Sequence, residues 1–147
     1  AINLQNSERN FYYFFIPIPT KKDTVHLPFH STMRQALEKM EFHHYTAIPL
    51  VDEDGKYAGT LTEGDLLWKM KNTPSLTFAD TERIWLKDIP RRMVNTPIHI
   101  NEEMENLLSL AIMQNFIPVI DDNDVFCGII RRREIIEYFA RQPKASL

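Results

Sequence analysis

The residue pattern predicts an α/β (α+β) fold: two β-α-β-β-α units, packed with pseudo-twofold symmetry. The first observation behind this is an internal repeat. Thr46-Ala47-Ile48-Pro49-Leu50-Val51-Asp52 recurs as Asn115-Phe116-Ile117-Pro118-Val119-Ile120-Asp121, and Gly59-Thr60-Leu61 as Gly128-Ile129-Ile130, every pair 69 residues apart. A repeat at fixed spacing decides a fold before any local reading does. The second observation is helical spacing: Met33, Ala36, Leu37 and Met40 fall at i, i+3, i+4 and i+7 and recur as Met104, Leu107, Leu108 and Ala111. Their offset is 71, so one two-residue insertion near His43-His44-Tyr45 reconciles the two registers. The third is size. Each half is about sixty residues, below the roughly 70–80 at which one core is self-sufficient, so the halves are expected to share one folding unit.

Each element has its own justification. Residues 25–29 open the first half as a short strand, and the Met33/Ala36/Leu37/Met40 face makes a helix. Residues 47–51 form an apolar strand, closed by the turn Asp52-Glu53-Asp54-Gly55 with glycine where φ is positive. Residues 56–61 return as the hairpin partner. A second helix follows, with Leu66, Leu67 and Met70 expected on its buried side. The second half repeats the order: strand 98–100, helix 102–114, strand 116–120, turn 121–124, strand 125–130 and a helix to about residue 141. Residues 72–81 lack periodicity and read as connector. The expected organisation is an N-terminal segment 1–23, a first repeat 24–71, a linker 72–83, a second repeat 84–141 and a tail 142–147.

Composition narrows the function classes. The 147 residues are 44% hydrophobic and 25% charged, which excludes a disordered tail or a collagen-like chain. Seventeen Lys+Arg against twenty Asp+Glu leave a net charge of −3, so no global basic field points to a nucleic-acid partner. Cys127, the single cysteine, allows no internal disulfide and fits a reducing compartment. The longest apolar run, residues 11–19, is nine residues with two prolines, too short to span a bilayer. No signal peptide is recognised, and Ala1 in place of an initiator Met leaves a trimmed or engineered start open. A cytoplasmic protein without membrane contact is expected.

The most informative stretch is Gly59-Thr60-Leu61-Thr62-Glu63-Gly64-Asp65. A strand ends at Thr62 and a helix begins there, presenting unpaired N–H groups and positive dipole character suited to a phosphate. Thr62 can add a hydroxyl donor, and Asp65 can accept from a ribose diol, as carboxylates do in dinucleotide folds. The same Thr-x-x-Asp spacing also reads as a capping box, in which the two side chains satisfy the helix start. Both readings stand on the sequence.

The doubled pattern Gly-hydrophobic-hydrophobic-Thr-x-x-Asp after Ile-Pro-hydrophobic-hydrophobic-Asp resembles a tandem cystathionine-β-synthase (CBS) domain pair, or Bateman module. The resemblance covers residues 24–139, and in detail the chain is similar to the small stand-alone CBS-pair proteins of Gram-positive bacteria. It implies a non-enzymatic regulator that binds AMP, ADP, ATP or cyclic di-AMP, dimerises through its helices and signals to a protein partner. Residue by residue, it places Thr62 on phosphate and Asp65 on ribose. Ala47, Ile48 and Pro49 would line the base, with Thr20 and Lys21 closing the slot. In the second half Phe116, Ile117 and Pro118 would line the base, beside Thr96 and Pro97. There the sequence departs from the family: Arg131 replaces the hydroxyl residue and Glu134 the aspartate.

Arg131 cannot cap as a hydroxyl does, and Arg131-Arg132-Arg133 opposes the macrodipole at a helix start, which favours anions. An arginine there can grip phosphate bidentately, Arg132 being the favoured one; the other reading is a solvated, partly paired charge cluster. Arg91-Arg92 is read as a solvated face. Phe11 to Phe15 is read as core or dimer interface, Trp68 and Trp85 as packing residues, and Cys127 as an inert buried thiol. The five histidines match no zinc spacing. No nucleophile–base pair, metal set or Gly-x-x-x-x-Gly-Lys loop supports catalysis, so no cofactor is expected. The rival reading is a ligand-free interaction scaffold with degenerate clefts.

Overall fold

The computed structural model describes residues 24–141, so Thr20 and Lys21, the N-terminal segment with its aromatic cluster and the tail 142–147 lie outside the described residues. The first half runs Leu27–Pro28 (β1), Met33–His43 (α1), Ala47–Val51 (β2), Tyr57–Thr62 (β3) and Glu63–Lys71 (α2). The second runs Ile98–His99 (β4), Met104–Met113 (α3), Phe116–Ile120 (β5), Phe126–Arg131 (β6) and Arg132–Ala140 (α4). The β-α-β-β-α order therefore occurs twice. Two short 3₁₀ turns, Ala79–Glu82 and Leu86–Asp88, lie between.

Each half builds its own three-stranded sheet, β1-β2-β3 and β4-β5-β6, with the first pair parallel and the second antiparallel. The repeat extends to irregularities. A register shift falls between Leu50 and Val51 and again between Val119 and Ile120. Asp52 Oδ1 accepts from the amides of Asp54 and Lys56, and Asp121 Oδ1 from those of Asn123 and Val125. Side-chain closure of this kind specifies a tight turn. The left-handed position holds Gly55 (φ 79°) in one half and Asp124 (φ 63°) in the other. Strands β1 and β4 are shorter than predicted, two residues each, although the ladder bonds of Phe29 N to Val51 O and Ile100 N to Ile120 O prolong the pairing.

Helix α1 starts as the i, i+3, i+4 spacing predicts, with Thr32 and Gln35 in a reciprocal capping box and Met33, Ala36 and Met40 buried. Two expectations for buried faces are corrected. On α2 only Leu66 is buried among the three apolar residues named above, while Leu67 and Met70 are exposed; a nine-residue helix docks on its sheet along one line, which Leu66 occupies. On α3, Leu107 and Ala111 enter the core but Leu108 is exposed.

Contacts divide the chain into one unit of residues 25–94 and a second that contains residues 95–141. The first core joins Leu27, Met33, Ile48, Leu50 and Leu61 to Leu86 and Ile89. The last two residues, together with Ile84, follow the connector yet pack on the first half. Backbone bonds from Met33 N to Ile84 O and from Leu86 N to Ser31 O stitch this segment to the start of α1. The second core gathers Ile98, Leu107, Ile117, Val119, Ile130 and Ile135.

Candidate functional site

The β3–α2 junction is a hydrogen-bonded corner built from three residues. Thr62 Oγ1 accepts from Asp65 N at 3.2 Å, and Asp65 Oδ2 accepts from Thr62 N at 2.9 Å, so the capping box is complete. The other carboxylate oxygen, Oδ1, accepts from the backbone N–H of Arg92 at 3.0 Å. Asp65 is only 2% exposed. Its carboxylate closes the helix start and holds the segment that leads to the second half. Glu63 N donates to Thr46 O, which takes a further first-turn amide and fastens the helix to the start of β2.

The β6–α4 junction is a more open version of the same corner. Arg132 N donates to Asn115 O, the equivalent of the Glu63–Thr46 bond. Glu134 accepts from Arg131 N at 2.9 Å, so half of the box survives. The expectation that capping fails here is thereby corrected by half: the acid at the third position still caps. The reciprocal bond cannot form, because a guanidinium has no lone pair to accept from Glu134 N. The three arginines differ. Arg133, exposed, pairs with Glu137 at 2.9 Å. Arg132 Nε donates to Ala111 O at 2.7 Å and so caps the last turn of α3. Arg131 has an exposed side chain, and its ion pair to Glu134 is stretched to 3.9 Å.

The strands bring the other named residues against these corners. Ala47 is the cross-strand partner of Thr62, and Phe116 of Arg131. Ile48 and Ile117 are fully buried in the cores of their own halves, so what they offer outside is backbone. Alternation places Ala47 and Pro49, and Phe116 and Pro118, on the opposite sheet face. Thr96 N and O are both held by the Gln114 side chain, at 2.8 and 3.1 Å, and that amide also donates to Phe116 O.

The CBS domain model matches the chain twice, over residues 17–72 and 86–141. This chain belongs to the CBS-domain family. The CBS pair is similar to Cyclic di-AMP receptor B of Bacillus subtilis (strain 168), at 26% identity over 118 residues, 77% of this chain and 76% of that protein. A solved CBS domain-containing protein of Bacillus anthracis matches with TM-score 0.77 and 16% identity, over 95% of this chain and 98% of the other. CbpB of Listeria monocytogenes, solved in complex with c-di-AMP, matches with TM-score 0.70 and 19% identity, over 84% of this chain and 92% of the other. At these identities the two structures establish the fold.

Three features of the CBS pair escape the sequence pattern. Gln114 is a buried clamp on Thr96; its signal was the amide pair Gln114-Asn115 between an apolar helix and an apolar strand, at the place where the two offsets diverge. The Asp65–Arg92 bond joins residues 27 apart and has no sequence signal. Arg91 is not the solvated charge expected: its guanidinium lies 5.4 Å from the Phe29 ring centroid with Nη1 buried. Trp68 is also corrected. It is part-exposed and carries Arg92 at 5.2 Å and Lys71 at 5.5 Å over its ring. Cys127 is half-buried, and its thiol donates to Val125 O. Among the described residues no helix is long and apolar enough to cross a membrane.

Proposed function

We propose that this CBS pair is a regulatory protein that binds an adenine nucleotide and passes its occupancy to a protein partner. Of AMP, ADP, ATP and cyclic di-AMP, the last is favoured, because the curated relative is a cyclic di-AMP receptor. The observation that carries the reading is the α4 start. Arg131, Arg132 and Arg133 stand where the helix dipole is already positive, and the Glu134 amide lacks a side-chain acceptor. A phosphate supplies the missing acceptor, and a closer counter-charge for Arg131 than Glu134 at 3.9 Å.

In this reading Arg131 and the first-turn amides of α4 hold phosphate, while Arg132, tied to Ala111, sets the position of α4. Phe116 and Pro118, with the backbone of Ile117, line the base beside Thr96 and Pro97. Glu134 reaches the ribose. In the first half the corresponding groups are Thr62 for phosphate, Asp65 for ribose, and Ala47, Ile48 and Pro49 for base, with Thr20 and Lys21 completing the slot. Since Asp65 is already engaged twice, the second-half site is the stronger of the two.

The chain acts without catalysis of its own. Ligand favours one arrangement of the protein and shifts its population by the difference in affinity between arrangements. A homodimer completes the reading: α3 presents Ile112 and Met113, both about four-fifths exposed, and α4 presents Ile136 and Phe139. Apolar groups this exposed on neighbouring helices suit a second copy of the chain. Calorimetry with AMP, ATP and cyclic di-AMP tests the function. Binding of at least one, weakened in Arg131→Ala, is expected; no binding of any at millimolar concentration overturns it in favour of the scaffold.

A further inference from the structure

The first unit holds an arginine, Arg91, that has no ion pair among the described residues and one buried N–H group without an acceptor. Arg91 follows the Leu86–Asp88 turn and lays its guanidinium on β3, where a Cβ built on Gly59 would come within 3.0 Å of Nε and 3.5 Å of Cζ. Gly59 has φ +116°, a conformation other residues rarely adopt, so the strand is bare of side chain where the guanidinium rests. The Phe29 ring flanks the other cation contact. Nη1 is buried and makes no hydrogen bond, and among the described residues Arg91 has no ion pair. A buried charged donor without an acceptor is among the costlier arrangements a protein can keep.

The surroundings are those of an anion receptor. Arg92, exposed and stacked over Trp68, adds a second positive charge that likewise has no ion pair among the described residues. Tyr57 and Thr60 share a 2.6 Å hydroxyl–hydroxyl bond on the same strand as Gly59. Tyr57 is close enough to feel the charge of Arg91, and its phenol carries an O–H that can donate. Turning the guanidinium outward sacrifices no hydrogen bond at Nη1, since it makes none. Once turned outward, a guanidinium fork matches the oxygens of a phosphate.

We propose that Arg91, seated between Gly59 and Phe29 and assisted by Arg92, is the receptor of a phosphate group in the first unit. The group is either free inorganic phosphate or the phosphate of a larger ligand. The site is built from residues of the first unit alone and does not depend on the nucleotide reading.

The test titrates the full chain with inorganic phosphate at constant ionic strength, following backbone amide resonances. Saturable shifts centred on residues 57–60 and 91–92 are expected. Arg91→Gln, which breaks no hydrogen bond at Nη1, should keep the remaining spectrum and lose those shifts, and Arg91→Lys should bind about tenfold more weakly for want of the fork. A parallel titration with AMP and cyclic di-AMP separates the sources. Response to phosphate alone, with no nucleotide bound, sustains this site while the nucleotide reading falls. Response only to the nucleotides, lost in Arg91→Gln, assigns the phosphate to the larger ligand. Absence of saturable shifts at residues 57–60 and 91–92 with every probe overturns the proposal, as do shifts that persist unchanged in Arg91→Gln. Should that variant not fold, the wild-type map decides: shifts centred on residues 131–133 instead overturn it.

Discussion

The Asp65 carboxylate accepts the Arg92 backbone N–H at 3.0 Å, joining the start of α2 to a segment 27 residues later. Together with the capping box it makes one buried side chain responsible for two joints, a local one with Thr62 and a distant one with Arg92. The same carboxylate is the group that the family resemblance assigns to ribose. Under the proposed function, a ligand diol at Asp65 would compete with the Arg92 amide.

Removing that carboxylate should be costly. Asp65→Ala leaves the Thr62 and Arg92 amides without their acceptor in a nearly closed site, and should lower stability by about 2–3 kcal/mol. Asp65→Asn keeps an acceptor and should lose about half as much. Urea denaturation measures both, and equal losses in the two variants would contradict the double role.

At the other corner, stability and binding should move in opposite directions. Arg131→Thr restores the missing acceptor for Glu134 N and should stabilise the protein by about 1 kcal/mol. It also removes the exposed guanidinium, so affinity for cyclic di-AMP should fall by about tenfold or more. Thermal unfolding and calorimetry on the same sample separate the two effects.

Gln114 fixes the Thr96 backbone through both of its polar groups. Gln114→Met keeps the volume but leaves those groups unpaired, at a cost of about 1–3 kcal/mol. Hydrogen exchange at the Thr96 amide should accelerate in the variant while β5 amides stay protected; unchanged exchange would show that the clamp is incidental.

Tyr57 makes stability depend on alkaline pH. Burial pushes its phenol from 10.0 up to about 12, against smaller lowering effects from Thr60 and Arg91. The folded state holds the proton more tightly than the unfolded chain, so the full contribution is present below pH 10 and is lost as pH rises from 10 towards 12. The loss is on the order of 3 kcal/mol. Tyr57→Phe should flatten the stability profile across that window, measured by denaturation at fixed pH values.

The exposed helix faces predict self-association. Ile112→Glu places a charge on an apolar position of α3 that is 82% exposed. Sedimentation should find a dimer for the native chain and a monomer for the variant, with the circular dichroism spectrum unchanged. A native chain that sediments as a monomer at all concentrations would remove the dimer.

Much of this was legible in the residues. β2 and β5 have the predicted limits, because an apolar run bounded by turn residues has few alternatives. The Asp52 and Asp121 turns follow from local side-chain bonding. Helix faces were harder. Leu66, Leu67 and Met70 look equivalent in sequence, yet one docking line serves only Leu66. At the candidate site, Thr62 and Asp65 were visible as a pair, and the capping geometry between residues three apart is local. Asp65's second partner was not, because no periodicity links it to Arg92.

The sequence by itself determined the doubled β-α-β-β-α architecture, the two strand–helix corners and the departure of Arg131 and Glu134 from the common pattern. Those are consequences of spacing, and spacing is written in the chain. Only the tertiary structure decided which charges are engaged: Asp65 closed by two amides, Arg132 tied to the end of α3, Arg91 half-buried on a bare glycine without an ion pair among the described residues. The physical reason is that hydrogen bonds and burial between distant segments depend on where folding brings them. Two adjacent arginines, alike in sequence, thus become one exposed cation and one half-buried one.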